Sequence, residues 1–222
     1  MPIDQNLLVI FDCDGVLVDS EYIIASVEAE LFTKFGYPLT PEEDIRRFSG
    51  KSQKSTLETI EKEIGTKLPG NFGATLESEI SKALSERLSS ITGVDSVLNI
   101  IPQKCVASSS TYPQIKKSLQ VTGLKKHFID DNIFSTSMVQ NGKPSPDIFI
   151  YAAEKMGISR SNCVVIEDSI AGVTAAKAAG IKVLGFVGGS HIVDKSHADK
   201  LMGVGASRVF DNMAELFEYF SD

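Results

Sequence analysis

Seven positions in this chain carry side chains that could do chemistry together. The stretch FDCDGVLVDS, residues 11–20, sets Asp12 and Asp14 two apart, directly after the apolar run at 7–11. Ser108 and Ser109 lie in the block VASSS, Lys143 stands in GKPSPDIF, and Glu167 with Asp168 lie in IEDSIAG. Four carboxylates gathered at one place repel one another unless a divalent cation neutralises them. Magnesium suits a few carboxylates plus a substrate phosphate. Phosphate oxygens could then be held by Ser108, backbone N–H groups and Lys143. One aspartate would be left to attack phosphorus and the other to handle a proton.

For those residues to meet, the elements carrying them must end at one edge. Residues 7–11, 104–108, 163–167 and 182–187 are short apolar runs, the pattern of strands buried on both faces, and RVF at 208–210 is a weaker one. Helical patterns lie between them. SPDIFIYAAEKMG has Ser145 as a cap, Pro146 in the first turn and Gly157 as a stop; SIAGVTAAKAAG ends at Gly180; another helix should begin near Thr111. Alternating strands and helices imply an α/β fold with a Rossmann-like parallel sheet, whose ligands bind at the carboxyl ends of the strands.

Residues 20–92 break that rhythm, with helix signals and no convincing strand. Ile23, Val27, Leu31 and Phe35 form one stripe, and Leu57, Ile60 and Ile64 another. Leu76, Ile80, Leu84 and Leu88 form a third, while Thr40, Pro41 and Glu43 spell a capping box. The expected organisation is a core of residues 1–19 and 93–222 with an all-helical cap, 20–92, inserted after the first strand.

Composition narrows the function classes. In 222 residues, 22 basic and 29 acidic side chains give a formal charge of −7, which argues against a general nucleic-acid binder. The opening MPIDQN lacks a basic leader, and LLVIF is too short to span a bilayer, so a cytoplasmic protein without membrane attachment is expected. Cys13, Cys105 and Cys163 form no close ligand pair, and the carboxylates beside Cys13 disfavour its thiolate. His127, His191 and His197 fit no zinc spacing. Residues 188–207 are expected to be surface loop and helix without assigned chemistry.

Taken singly, each motif has a plain reading: DxD as a surface turn, Lys143 as a solvated cation, Ser108–110 as a helix cap, and Glu167 with Asp168 as helix-start acids. Their order along the chain is what makes them informative. FDCDGVLVDS, VASSS, GKPSPDIF and IEDSIAG together resemble the haloacid dehalogenase superfamily, in the subgroup with a helical cap that includes β-phosphoglucomutase and 6-phosphogluconate phosphatase. The resemblance implies Asp12 as nucleophile and Asp14 as general acid and base, also offering its carbonyl to magnesium. Ser108 and Lys143 would bind the phosphoryl group with the help of the Ser109 N–H. Asp168 would ligate Mg2+, and Glu167 would ligate it or support the ligands. A cap that excludes water and reads the leaving group is implied as well, as is a monomer acting on a small phosphomonoester.

RRFSGKSQKS, 46–55, resembles the loop by which such caps meet substrate, with Gly50, Ser52 and Gln53 as contacts; a plain interhelical turn capped by Ser52 is the other reading. Its SGKS lacks the first glycine of a P-loop and any preceding strand. Sugar phosphomutases of this layout carry arginine where Gln53 stands, which favours hydrolysis over phosphomutase activity. A phosphate-binding regulatory module without turnover is the remaining alternative.

Overall fold

The computed structural model describes residues 4–48 and 53–221. Its elements are β1 (Leu8–Phe11), α1 (Glu21–Lys34), α2 (Pro41–Phe48), α3 (Gln53–Ile64), α4 (Phe72–Arg87) and α5 (Val94–Ile100). There follow β2 (Gln103–Ser108), α6 (Tyr112–Val121), β3 (Ile133–Ser135), α7 (Asp147–Lys155), β4 (Cys163–Glu167) and α8 (Ile170–Ala178). The last are β5 (Lys182–Phe186), α9 (His197–Val204), β6 (Val209–Phe210) and α10 (Met213–Ser221).

The chain divides into two compact units, Met1–Asp19 with Ser89–Asp222, and Ser20–Leu88. The division falls at Leu88 rather than at 92 because residues 89–91 pair with residues 17–19. Asp19 N–H donates to Ser89 O, Ile91 N–H donates to Leu17 O, and Val18 bridges Ser90.

In the larger unit six strands form one parallel sheet in the order β3-β2-β1-β4-β5-β6, the α/β architecture expected. Leu8 and Ile10 join a core with residues of α7 and α8, while Val9 and Phe11 are equally buried, so both faces of β1 are covered. Each such side chain removed from water contributes about 1.5–3 kcal/mol. The strand β3 carries no sequence signal because it is only three residues long. Ser145 does not cap α7: the helix starts at Asp147 after Pro146, and the Ser145 hydroxyl donates to the Asp147 carboxylate instead.

In the smaller unit, α1 to α4 bury Val27, Phe32, Phe48, Ile60, Phe72 and Leu76 in their own core, with Phe32 stacked on Phe72. The capping box is present: Glu43 N–H donates to Thr40 Oγ1, and Thr40 N–H to Glu43 Oε2, both at 3.2 Å. Among the described residues no helix is long and apolar enough to cross a membrane.

One acidic pair strains this helical unit. Burial and the neighbouring Asp44 push the Glu28 carboxyl up to about 8, and burial pushes Asp44, on α2, up to about 6. Glu28 therefore holds a proton that it donates to Asp44. Because the folded pKa values lie above the unfolded ones, this contribution to stability is fully present below about pH 4 and is lost as pH rises through 6 to 8. We predict that the urea midpoint, followed by far-UV circular dichroism, falls between pH 5 and 8.5. In Glu28→Gln, whose amide donates without titrating, the fall should be shallower than in wild type; equal slopes for the two proteins would remove the pair from this account.

Candidate active site

The sheet register levels the chemical residues with one another. Phe11 lies opposite Val106 of β2 on one side and Ile166 of β4 on the other, so the next residues, Asp12, Ala107 and Glu167, stand level with one another. The chain runs outward from β1 through β2 to β3 and then returns to β4 beside β1. That reversal opens a crevice at the carboxyl edge, where α/β sheets bind ligands. A tight turn follows, with Gly15 at φ +81°, its N–H donating to Val18 O and Val18 N–H donating to Cys13 O.

Lys143 is the hub. Its side chain is 4 % exposed, and its ammonium donates to Asp12 Oδ1, to Glu167 Oε1 at 2.7 Å and to the Ala107 carbonyl at 3.1 Å. Burial opposes its charge, yet Asp12 and Glu167 hold its pKa well above the ordinary lysine value. Burial raises the Asp12 carboxyl well above the usual range; Lys143 counters this, and Glu167, Asp168 and Asp14 reinforce it. Asp168 is raised in the same way, by burial and then by Glu167. Cys13 is buried, and burial followed by Asp14 and Asp12 pushes its thiol well up, away from a nucleophilic role.

Glu167 is committed at both oxygens. Oε1 accepts from Lys143, while Oε2 accepts from the N–H and hydroxyl of Ser169 at 2.7 and 2.9 Å. Ser169 in turn caps α8 by accepting from Gly172 N–H. Gly172 is required here, since a Cβ on it would lie 1.7 Å from Glu167 Oε1.

Asp14 sits in different company. It is half-buried, and its Oδ2 accepts from the Ser110 hydroxyl at 2.7 Å and from Ser108 at 3.3 Å. Ser108 is buried and Ser109 exposed. Thr111 caps the following helix α6, and its N–H donates to Gln114 Oε1 at 3.0 Å.

The structure thus brings Asp12, Asp14, Ser108, Lys143, Glu167 and Asp168 to one edge of the larger unit. Gln53 begins α3 in the helical unit, and Gly50 and Ser52 lie outside the described residues. Sequence reasoning missed Ser110, visible only as a third serine in VASSS. It also missed two histidines. His191 is 7 % exposed rather than on the surface, with Nε2 at 2.9 Å from Asp168 Oδ2; His197 Nε2 donates to Asp168 O at 2.7 Å.

A hard divalent cation fits this donor set. Asp12, Glu167 and Asp168 are all buried, and one carboxylate oxygen from each lies within 4.8 Å of the others. One lysine cannot neutralise three crowded carboxylates, and oxygen-only donors suit magnesium better than zinc.

Comparison with known proteins agrees with this chemistry. Residues 9–186 match a family model described as haloacid dehalogenase-like hydrolase. The chain is 31% identical to 6-phosphogluconate phosphatase of Escherichia coli over 82% of its own length and 83% of the relative's. It is 34% identical to a phosphorylated carbohydrates phosphatase of Thermotoga maritima over 78% of this chain and 82% of that one. A hydrolase structure from Deinococcus radiodurans with bound phosphate and sodium superimposes with a TM-score of 0.82 and 32% identity, covering 96% of this chain and 94% of that one.

The crowding around Glu167 makes a stability prediction. Gly172→Ala should lower stability by about 1–3 kcal/mol through overpacking, read as the urea midpoint. Gly203→Ala, in α9 where an added Cβ meets nothing within 4 Å, should be neutral or stabilising by up to about 1 kcal/mol. Indistinguishable midpoints would mean that Glu167 can vacate its position freely.

Proposed function

This chain belongs to the haloacid dehalogenase-like hydrolases, and on that premise we propose that it is a magnesium-dependent phosphatase acting on a small, hydroxyl-rich sugar or sugar-acid monophosphate through an aspartyl-phosphate at Asp12. The observation that carries this reading is the unequal company of the two aspartates two residues apart. Asp12 is buried and fixed through Oδ1 by an ammonium, whereas the half-buried Asp14 accepts hydroxyl hydrogen bonds from Ser108 and Ser110.

The chemistry follows from those partners. Lys143 anchors Oδ1, which leaves Oδ2 of Asp12, unbonded among the described residues, as the oxygen that attacks phosphorus. As the new P–O bond forms, the bond to the leaving alcohol breaks, and Asp14 protonates that alcohol. Asp14 then takes a proton from water, which attacks the phosphorus of the acyl phosphate, releases inorganic phosphate and restores Asp12. Ser108, the Ser109 N–H and Lys143 hold the phosphoryl oxygens. Asp12, Asp168 and the Asp14 carbonyl would hold magnesium, which when bound offsets the charge on the phosphate and the crowded carboxylates. Glu167, with both oxygens already engaged, keeps Lys143 in place.

The substrate class rests on the two phosphatase relatives, both named for carbohydrate or sugar-acid phosphates. Gln53, where the related mutases carry a second phosphate-binding arginine, favours loss of phosphate to water. The helical unit, with Gly50, Ser52 and Gln53, is proposed to read the leaving group.

The test is phosphate release from a panel including 6-phosphogluconate and hexose monophosphates, with and without magnesium. Wild type should release phosphate only with the metal, and Asp12→Asn should lose turnover by at least about 1,000-fold while keeping its fold by circular dichroism. A rearranged sugar phosphate in place of inorganic phosphate would make the protein a mutase. Undiminished turnover in Asp12→Asn would overturn the nucleophile.

A further inference from the structure

The stretch GGSHIVDKSHADK, 188–200, holds two of the chain's three histidines, and both converge on Asp168. His197, the first residue of α9, donates Nε2–H to the Asp168 carbonyl at 2.7 Å. His191 reaches the same residue's carboxylate, with Nε2 at 2.9 Å from Oδ2. One residue is therefore held at its main chain and its side chain by two imidazoles from one segment.

The backbone around His191 is shaped to admit it. A Cβ on Gly15 would stand 2.0 Å from Asp168 Oδ2 and 2.7 Å from His191 Cε1; a Cβ on Gly189 would stand 2.7 Å from both Cε1 and Nδ1 of the imidazole. Two side-chain-free positions, one in the turn after β1 and one after β5, thus leave room for the ring. The loop is also tied down beside it, because the N–H and hydroxyl of Ser190 both donate to Asp19 Oδ1, at 3.0 and 2.8 Å. A histidine on a mobile surface loop would need none of this.

We propose that His191 is a positioning residue for the cation site: its Nε2–H fixes the rotation of the Asp168 carboxylate, so that Asp168 meets the metal already oriented. The inference rests on the reading of Asp168 as a magnesium ligand. Hydrogen bonds from outside to a ligating carboxylate or imidazole typically change metal affinity 10–100-fold when removed. His197 holds the carbonyl end of the same residue, so the carboxylate pivots on a fixed main chain.

Two substitutions of similar bulk separate hydrogen bonding from packing. His191→Gln keeps an N–H donor, and His191→Met fills the space without one. Magnesium affinity is measured by isothermal titration calorimetry on metal-free protein, with the fold checked by circular dichroism and with kcat at saturating magnesium measured alongside. His191→Met should weaken magnesium binding about 10–100-fold and raise the magnesium needed for half-maximal turnover by the same factor, with kcat at saturation within a few-fold of wild type. His191→Gln should recover most of the affinity. Should His191→Met not fold, Gly189→Ala, which crowds the imidazole while leaving its chemistry intact, carries the same expectation. Equal magnesium affinity in the Met and Gln variants, or in Gly189→Ala and wild type, overturns the proposal. Asp168→Asn is the control for its premise. If Asp168→Asn binds magnesium as wild type does, the ligand assignment itself fails; if it loses the metal while His191→Met keeps it, only the role of His191 fails.

Discussion

Everything at this site depends on keeping three carboxylates and one ammonium dry at the end of a parallel sheet. Removing one partner from such a buried ion pair typically costs about 3–5 kcal/mol, because the other charge is left without water or partner. Lys143 is therefore as much a structural element as a chemical one. Its three hydrogen bonds reach the end of β1, the end of β2 and the end of β4, linking the three central strands where their ladders stop. The same crowding dictates Gly172 and Gly15, each of which leaves its Cβ position to a carboxylate oxygen.

What could be read from the sequence follows from how locally each feature is encoded. A strand buried on both faces is a run of apolar residues, and β1, β2, β4 and β5 are such runs. The capping box at Thr40 and Glu43 spans four residues and is visible as written. The acids and Lys143 could be picked out because each sits at the end of a recognisable element, in an order that resembled a family. Features made only by tertiary contact left no such mark. Ile133, Phe134 and Ser135 form a strand because β2 offers them an edge, and nothing in three residues announces that. Ser145 looked like a cap, but Pro146 starts the helix later and turns the hydroxyl to Asp147. His191 looked exposed because its neighbours are polar, and its burial comes from two glycines, one of them far away in sequence.

Inserting a helical unit between β1 and β2 threatens the register on which the site relies. The neck answers that threat. Pairing of residues 17–19 with residues 89–91 closes the loop at its base, so the core meets a short connection whatever the length of the insertion, and a longer insertion adds little closure entropy. The helical unit then needs a core of its own, which Phe32, Phe72, Ile60 and Leu76 provide. It also carries its own polar burden in Glu28 and Asp44, a pair whose carboxyls burial pushes up, with Arg47 partly countering the shift of Asp44.

The division of labour proposed for Asp12 and Asp14 would come from the sheet rather than from the residues, which are chemically identical. Asp12 is the first residue past the ladder, with its N–H still bonded to Ile166 O, so its side chain is confined between two neighbouring strands and meets the lysine. Asp14 is two residues further on, in the turn, where the hydroxyls of the β2–α6 connection reach it. A nucleophile must be held still and kept from water, while a group that gives and takes a proton must meet both leaving group and solvent. Strand end and turn supply those two environments within three residues. The DxD spacing thus places one carboxylate inside the sheet's edge and the next in the turn beyond it.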